Sequence, residues 1–222
     1  MQRGLEVRWL GRVAYGPTYE LQQRTHAEVA DGRAGDTLVL LEHERVITLG
    51  KNTGDGHVLA SREDLERRGF ELHATDRGGD VTYHGPGQLV GYPIVALQPG
   101  EHDIKGFVWK LEELLIRTCA DFGVAAERVD GLRGIWVGRD KIGAIGVRIA
   151  RWTTMHGFAL NVAPRLEDFQ VIVPCGIADR GVTSLERLLG EAPPMTAVRS
   201  RVAKHAGDVL GRALREPATE ST

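Results

Sequence analysis

RGGDVTYHGPGQLVGYP, residues 77–93, is the stretch on which the reading of this chain turns. Five of its seventeen residues are glycine, and glycine loses more backbone freedom on folding than any other residue. A bare backbone is therefore needed here, for a phosphate cradle, a metal loop or a substrate slot. The stretch is no P-loop, since it lacks a Gly-Lys-Ser/Thr ending. Gly78-Gly79 followed by Gly85 and Gly87 also fails the G-x-G-x-x-G spacing of a dinucleotide fingerprint. A metal loop on His84 needs further ligands at short or helical spacing, yet His43, His57, His73, His102 and His156 are scattered, with no H-x-x-x-H or C-x-x-C. No metal is expected. What remains is a backbone-lined slot for an elongated or planar substrate, with Arg77, Tyr83 and His84 as polar contacts.

Around this stretch the chain alternates short strands and helices. Leu5–Val13, Leu38–Leu41, Val46–Leu49 and Gln88–Leu97 read as strands, and IWVGRDKIGAIGVRI and MHGFALNV as further short ones divided by turn residues. Pro17 suits the start of a helix that continues through Ala30. Ser61 caps a short helix that stops at Gly69. The clearest helix carries Ile104, Phe107, Val108, Leu111, Leu114, Leu115, Cys119 and Phe122 at helical spacing, with Gly123 as its stop. A small helix follows near Ser184–Leu189, then a longer one from about Thr196 to Leu214. With no repeat and no linker-like break, the expectation is one α+β domain over residues 1–215, with mixed, mostly antiparallel sheets, flanking helices and a disordered tail at 216–222.

Composition narrows the class. The chain has 222 residues, and 28 Lys+Arg against 30 Asp+Glu leave a net charge of −2, which argues against nucleic acid as the main partner. No run approaches the roughly 18 apolar residues that span a bilayer, and the N-terminal residues show no secretory h-region. Two cysteines make no disulfide framework or zinc ribbon. The simplest reading is a soluble, reduced, cytoplasmic protein without a membrane partner, and a monomer.

Two residues stand out as carriers of chemistry. Cys119 belongs to an apolar helix face and reads as a core thiol. Cys175, in VIVPCGIAD, sits between a proline that fixes φ and a glycine that admits close approach. From the residues alone it fits an idle thiol as well as a nucleophile. Lys141 opens KIGAIGVRI directly after a turn, and reads either as a solvated hairpin lysine or as a cation beside a thiol. An adjacent ammonium stabilises the thiolate. Lowering a thiol pKa from about 8.5 to near 6.5 turns a few per cent of thiolate at pH 7 into a majority.

RGGDVTYHGPGQLVGYPI resembles the signature of the lipoyl(octanoyl) transferases, the octanoyl-[acyl-carrier-protein]:protein N-octanoyltransferases. LLEHERVITLG, DKIGAIGVRI, HGFALNV and VPCGI extend the resemblance in family order from about residue 36 to 185. Glu44 departs from it, standing where the family often has proline, and puts only a local turn in doubt. The resemblance implies a fold akin to the biotin and lipoate protein ligases. It also implies transfer of octanoyl from octanoyl-acyl carrier protein to a lysine of a lipoyl domain, as found in 2-oxoacid dehydrogenases and the glycine cleavage H protein.

Carried over, Cys175 becomes the acyl-thioester nucleophile and Lys141 the residue that lowers its pKa and takes part in proton transfer. Arg77, Gly78, Gly79, Asp80, Val81, Thr82, Tyr83 and His84 become the acyl pocket, joined by Ala144, Ile145 and Gly146 and by Gly157, Phe158 and Ala159. A thioester is already activated, so no cofactor is implied, neither ATP nor a metal. The rival readings are an ATP-dependent lipoate or biotin ligase, which needs no cysteine, and a noncatalytic fatty-acid binder or thiol sensor.

Overall fold

The structure is a computed structural model that describes residues 3–173 and 180–215. In chain order the elements are β1 (Gly4–Val13), α1 (Tyr15–Ala30), β2 (Asp36–His43), β3 (Val46–Leu49), α2 (Arg62–Arg67), β4 (Glu71–Ala74), β5 (Thr82–His84) and β6 (Gln88–Ile94). Then come α3 (Ile104–Asp121), β7 (Glu127–Val129), β8 (Leu132–Val137), β9 (Asp140–Ala150), β10 (Thr153–Asn161), β11 (Gly181–Val182), α4 (Leu185–Leu189), α5 (Met195–Leu210) and β12 (Ala213–Arg215). Among the described residues no helix is long and apolar enough to cross a membrane.

The strands form two sheets. The larger runs β12-β1-β2-β6-β10-β9-β8-β7, with β11 beside β9, and the smaller runs β4-β3-β5. Neighbours from β2 through β6, β10, β9 and β8 to β7 are antiparallel. The pairs β12–β1, β1–β2, β11–β9 and β3–β4 are parallel. This is the mixed, mostly antiparallel α+β architecture expected from the sequence.

Strand alternation explains how the large sheet is covered on both faces. Leu38 and Leu40 of β2 enter the core that holds the apolar faces of α3 and α5, including Phe107, Leu111, Leu114, Leu115, Val198 and Val202. Val39 and Leu41 face the other way, against Val90, Tyr92 and Ala159. The small sheet has its own core, in which Ile47 and Tyr83 meet Leu65, Phe70 and Phe169.

Element ends shift from the sequence reading for local reasons. Helix α1 begins at Tyr15, so Pro17 falls third, still within the first turn where an N–H has no helical partner to lose. Ser61 accepts a hydrogen bond from the Asp64 N–H and caps α2. Strand β6 ends at Ile94. Helix α5 ends four residues before Leu214, because Gly211 takes a left-handed conformation (φ +65°) and releases the chain into β12.

Candidate active site

A β-bulge builds one wall of the site. In the β8–β9 ladder Ile135 faces Gly143 while Trp136 faces Lys141, so Ile142 is an extra residue on β9. In an unbroken strand residues 141 and 144 point to opposite faces. The bulge lets both line a cavity of about 370 Å³ between the two sheets. The remaining wall comes from β10 (His156, Gly157, Phe158, Ala159), from the loop Arg77–Val81 with Thr82 and His84 of β5, and from Tyr15, Thr48 and Tyr92.

Glycine is required where wall segments meet. Gly79 has φ +94°, and its carbonyl oxygen would lie 2.3 Å from a Cβ placed on Gly50. A Cβ on Gly157 would lie 2.2 Å from the Gly91 carbonyl oxygen of β6. Neither contact is sterically possible, so bare backbone here brings the walls together.

The polar wall is held rigidly from behind. The Arg77 guanidinium donates to the Thr48 hydroxyl and, at 2.7 Å, to the Thr48 carbonyl, which ties the glycine loop to β3. His43 donates from Nδ1 to the Val13 carbonyl (3.0 Å), so its Nε2 accepts from the Tyr92 hydroxyl at 2.7 Å. His84 Nδ1 lies 2.7 Å from Gln88 Oε1. Burial pushes His43 down to about 4. Burial, and then the neighbouring His43, push His84 down to about 3 against the opposing effect of Gln88. Both imidazoles are neutral near pH 7. His156, at φ +60° inside a strand, is bound through Nε2 to Asp76 Oδ1 at 2.8 Å. Burial works to raise the Asp76 carboxyl, yet the hydrogen bond from His156 and the charges of His156 and Arg148 hold it below its usual value.

Lys141 is buried, 7% exposed, with Nζ 4.7 Å from the centroid of the Trp136 ring. The described chain resumes at Arg180, whose guanidinium lies 5.0 Å from the same ring. Cys175 and its neighbours 174–179, like the tail 216–222, lie outside the described residues. Cys119 is fully buried in the main core, and burial pushes its thiol up to about 12, which leaves it a protonated core residue.

Of the other residues expected at the site, Arg77, Gly79, Asp80, Val81, Thr82, His84, Ala144, Ile145, Gly146, Gly157, Phe158, Ala159 and Lys141 come together at this cavity. Gly78 and Tyr83 do not join its wall. Gly78 donates its N–H to the Val147 carbonyl, docking the loop on β9. Tyr83, between Thr82 and His84 on a strand, points into the small-sheet core and donates its hydroxyl to Asp168 Oδ2 at 3.0 Å. Sequence reasoning missed Tyr15, Thr48, Asn52, Tyr92, Arg133 and His156. Tyr92 lies inside the glycine stretch, His156 opens HGFALNV and Thr48 belongs to LLEHERVITLG, and that membership was the available signal. Tyr15, Asn52 and Arg133, with the adjoining Gly131 and Leu132, come from segments with no quoted motif.

The model of the lipoyl protein ligase A/B catalytic domain matches residues 15–207. Proteins named octanoyltransferase from Caldicellulosiruptor bescii and Acidobacterium capsulatum are 48% and 50% identical to this chain, over 95% and 93% of it and 93% and 90% of their own lengths. Among solved structures, lipoate-protein ligase A bound with ATP superposes with a TM-score of 0.77 at 17% identity, covering 99% of this chain and 90% of that one. Biotin protein ligase from Aquifex aeolicus, in complex with biotin and ATP, gives 0.56 at 13% identity, covering 92% and 70%. Those likenesses carry the fold, and the relatives with about half their residues identical carry more: the chain belongs to the lipoyl protein ligase A/B catalytic domain family.

Proposed function

We propose that this chain is an octanoyltransferase of protein lipoylation, moving octanoyl from octanoyl-acyl carrier protein to a lysine of a lipoyl domain by way of a thioester on Cys175. Residues 1–215 act as one catalytic domain, as a monomer. The observation that carries the reading is the buried Lys141 on the wall of a glycine-lined, partly apolar cavity, sharing the Trp136 ring with Arg180. Arg180 follows Cys175 by five residues in sequence, and its position at that ring supports a Lys141–Cys175 pairing without locating the thiol.

The chemistry runs in two displacements. Lys141 stabilises the Cys175 thiolate, which attacks the carbonyl carbon of the donor thioester. The new carbon–sulfur bond forms as the old one breaks, and the carrier leaves as a thiolate that takes up a proton. In the second displacement the uncharged amine of the target lysine attacks the acyl-enzyme. The amide bond forms, Cys175 leaves as thiolate, and the proton lost by the amine nitrogen ends on that sulfur. The octanoyl chain occupies the cavity, where each buried methylene contributes about 0.8 kcal/mol and so favours one chain length.

Mass spectrometry after incubation with octanoyl-acyl carrier protein in the absence of ATP tests this. The expected result is a gain of one octanoyl group that is lost in Cys175→Ser. Label that requires ATP, or that sits on Cys119, overturns the reading. The role of Lys141 is checked by the alkylation rate of Cys175 against pH, whose apparent pKa is expected to rise in Lys141→Ala.

A further inference from the structure

Behind His84 runs a chain of side-chain amides with only one possible polarity. The Thr183 carbonyl oxygen can only accept, so Asn161 turns Nδ2 towards it, at 2.9 Å. Asn161 Oδ1 is then an acceptor and takes a hydrogen bond from Gln88 Nε2, also at 2.9 Å. The same Gln88 Nε2 donates to the Tyr83 carbonyl at 3.3 Å, a second group that can only accept. Gln88 Oε1 is left facing His84 Nδ1, so that nitrogen carries the hydrogen. All three relay side chains are buried, at 8% exposure for His84, 2% for Gln88 and 5% for Asn161. Burial shields the relay from bulk solvent. Its anchor also touches the site from the other side, since the Thr183 N–H donates to the Lys141 carbonyl at 3.0 Å.

With Nδ1 committed to Gln88, Nε2 of His84 carries a lone pair that has no hydrogen-bond partner among the described residues, on a side chain that lines the cavity. Such an atom suits a partner that brings a hydrogen and suits a carbonyl or oxyanion poorly. Resting on the octanoyltransferase reading, one reactant at the acyl carbon fits: the attacking amine. We propose that Thr183, Asn161 and Gln88 lock His84 as the Nδ1–H tautomer, so that Nε2 accepts a hydrogen bond from the amine of the target lysine and aims its lone pair at the acyl-enzyme carbonyl. His84 here contacts the substrate, and Gln88 and Asn161 are positioning residues. Bonds and protons move as in the second displacement above: C–N forms, C–S breaks, and the amine proton reaches the Cys175 sulfur. His84 orients the amine and keeps no proton. The neutrality of the buried imidazole agrees with this, because an imidazolium would offer the amine a second donor instead of an acceptor.

The experiment has a spectroscopic and a kinetic part. In the ¹⁵N spectra of free, histidine-labelled protein, His84 is expected as the Nδ1–H tautomer, assigned by the signal missing in His84→Asn, and Gln88→Met is expected to abolish that preference. Single-turnover measurements then separate acylation by octanoyl-acyl carrier protein from transfer of the preformed acyl group to a lipoyl domain. Transfer is expected to fall about 100-fold in Gln88→Met, the scale of a misplaced reacting group, with acylation changed less than threefold. Gln88→Glu retains an acceptor at Nδ1 and covers the case in which Gln88→Met fails to fold. Its carboxylate raises the imidazole pKa, so transfer is expected to acquire a pH dependence that follows the His84 titration. The proposal is overturned by an Nε2–H tautomer in the unmodified protein, by a normal transfer rate in Gln88→Met, by an equal loss in acylation, or by a transfer rate in Gln88→Glu that ignores the His84 titration. Failure of the unmodified protein to take up octanoyl sinks the octanoyltransferase reading instead, and the tautomer assignment stands apart from it.

Discussion

His43 and His84 enter the fold as neutral imidazoles, and this sets an acid limit on stability. Their folded pKa values, about 4 and about 3, lie below the ordinary histidine value near 6.5. Between those values the unfolded chain binds protons that the folded chain refuses, so stability is full above pH 6.5 and falls as pH drops below it. Each histidine is expected to cost about 1–2 kcal/mol by pH 5, before most carboxylates titrate. Urea unfolding midpoints at pH 7.5 and 5 check this, and equal midpoints refute it. Tyr83 offers the complementary test at the same scale. Its hydroxyl reaches Asp168, which is buried and also paired with Arg45, and its ring packs edge-on against Phe169. Tyr83→Phe is expected to lose about 1–3 kcal/mol of stability, the cost of an under-satisfied buried acceptor, and to leave the acylation rate within about twofold. An altered rate at unchanged stability contradicts that placement.

At the scale of elements, the meeting of β6 and β10 is the tightest constraint on the site. A methyl group at residue 157 meets the Gly91 carbonyl oxygen and the Pro93 ring, neither of which is a flexible side-chain end. Gly157→Ala is expected to force the strands apart and lower stability by about 1–3 kcal/mol, seen as a drop in Tm, with distortion of the cavity. A Tm within error of the parent excludes this close approach. Local signals foretold much of this layer. The apolar stripe of α3, the Ser61 cap, the Gly123 stop and the β-rich runs all state their own conformation. The quoted glycine stretch and the Lys141 and HGFALNV motifs also placed most of the cavity wall. Less was visible where the outcome depends on distant partners. The division into two sheets follows from which strands β3 and β5 find. Strand β1 pairs in parallel with β2, about thirty positions away, and with β12, some two hundred positions away. The bulge at Ile142 that turns Lys141 inward depends on the register of β8, and no run of residue types within β9 announces it.

Across the whole molecule, one arginine fastens the entry to β12 onto β2 and onto the segment before α3. Arg212, 7% exposed, donates to Asp36 at 2.7 Å and to both carboxylate oxygens of Glu101, at 2.9 and 2.7 Å. Arg3 adds a second cation to Asp36 at 3.0 Å, and that carboxylate also accepts the Ala96 N–H. Removing one partner from a buried pair leaves the other charge stranded, so Arg212→Ala is expected to cost about 3–5 kcal/mol. Chemical denaturation checks this, and a loss below about 1 kcal/mol shows the cluster to be solvated. The same clamp has a bearing on biosynthesis. Asp36 leaves the ribosome 176 residues before Arg212, so the start of β2 first emerges with a carboxylate whose main counter-charge does not yet exist. Strand β1 likewise waits for β12 to cover its open edge. A nascent chain stalled before Arg212 therefore lacks both the clamp and the β12 edge, and is expected to be cut by protease faster than a chain that includes them.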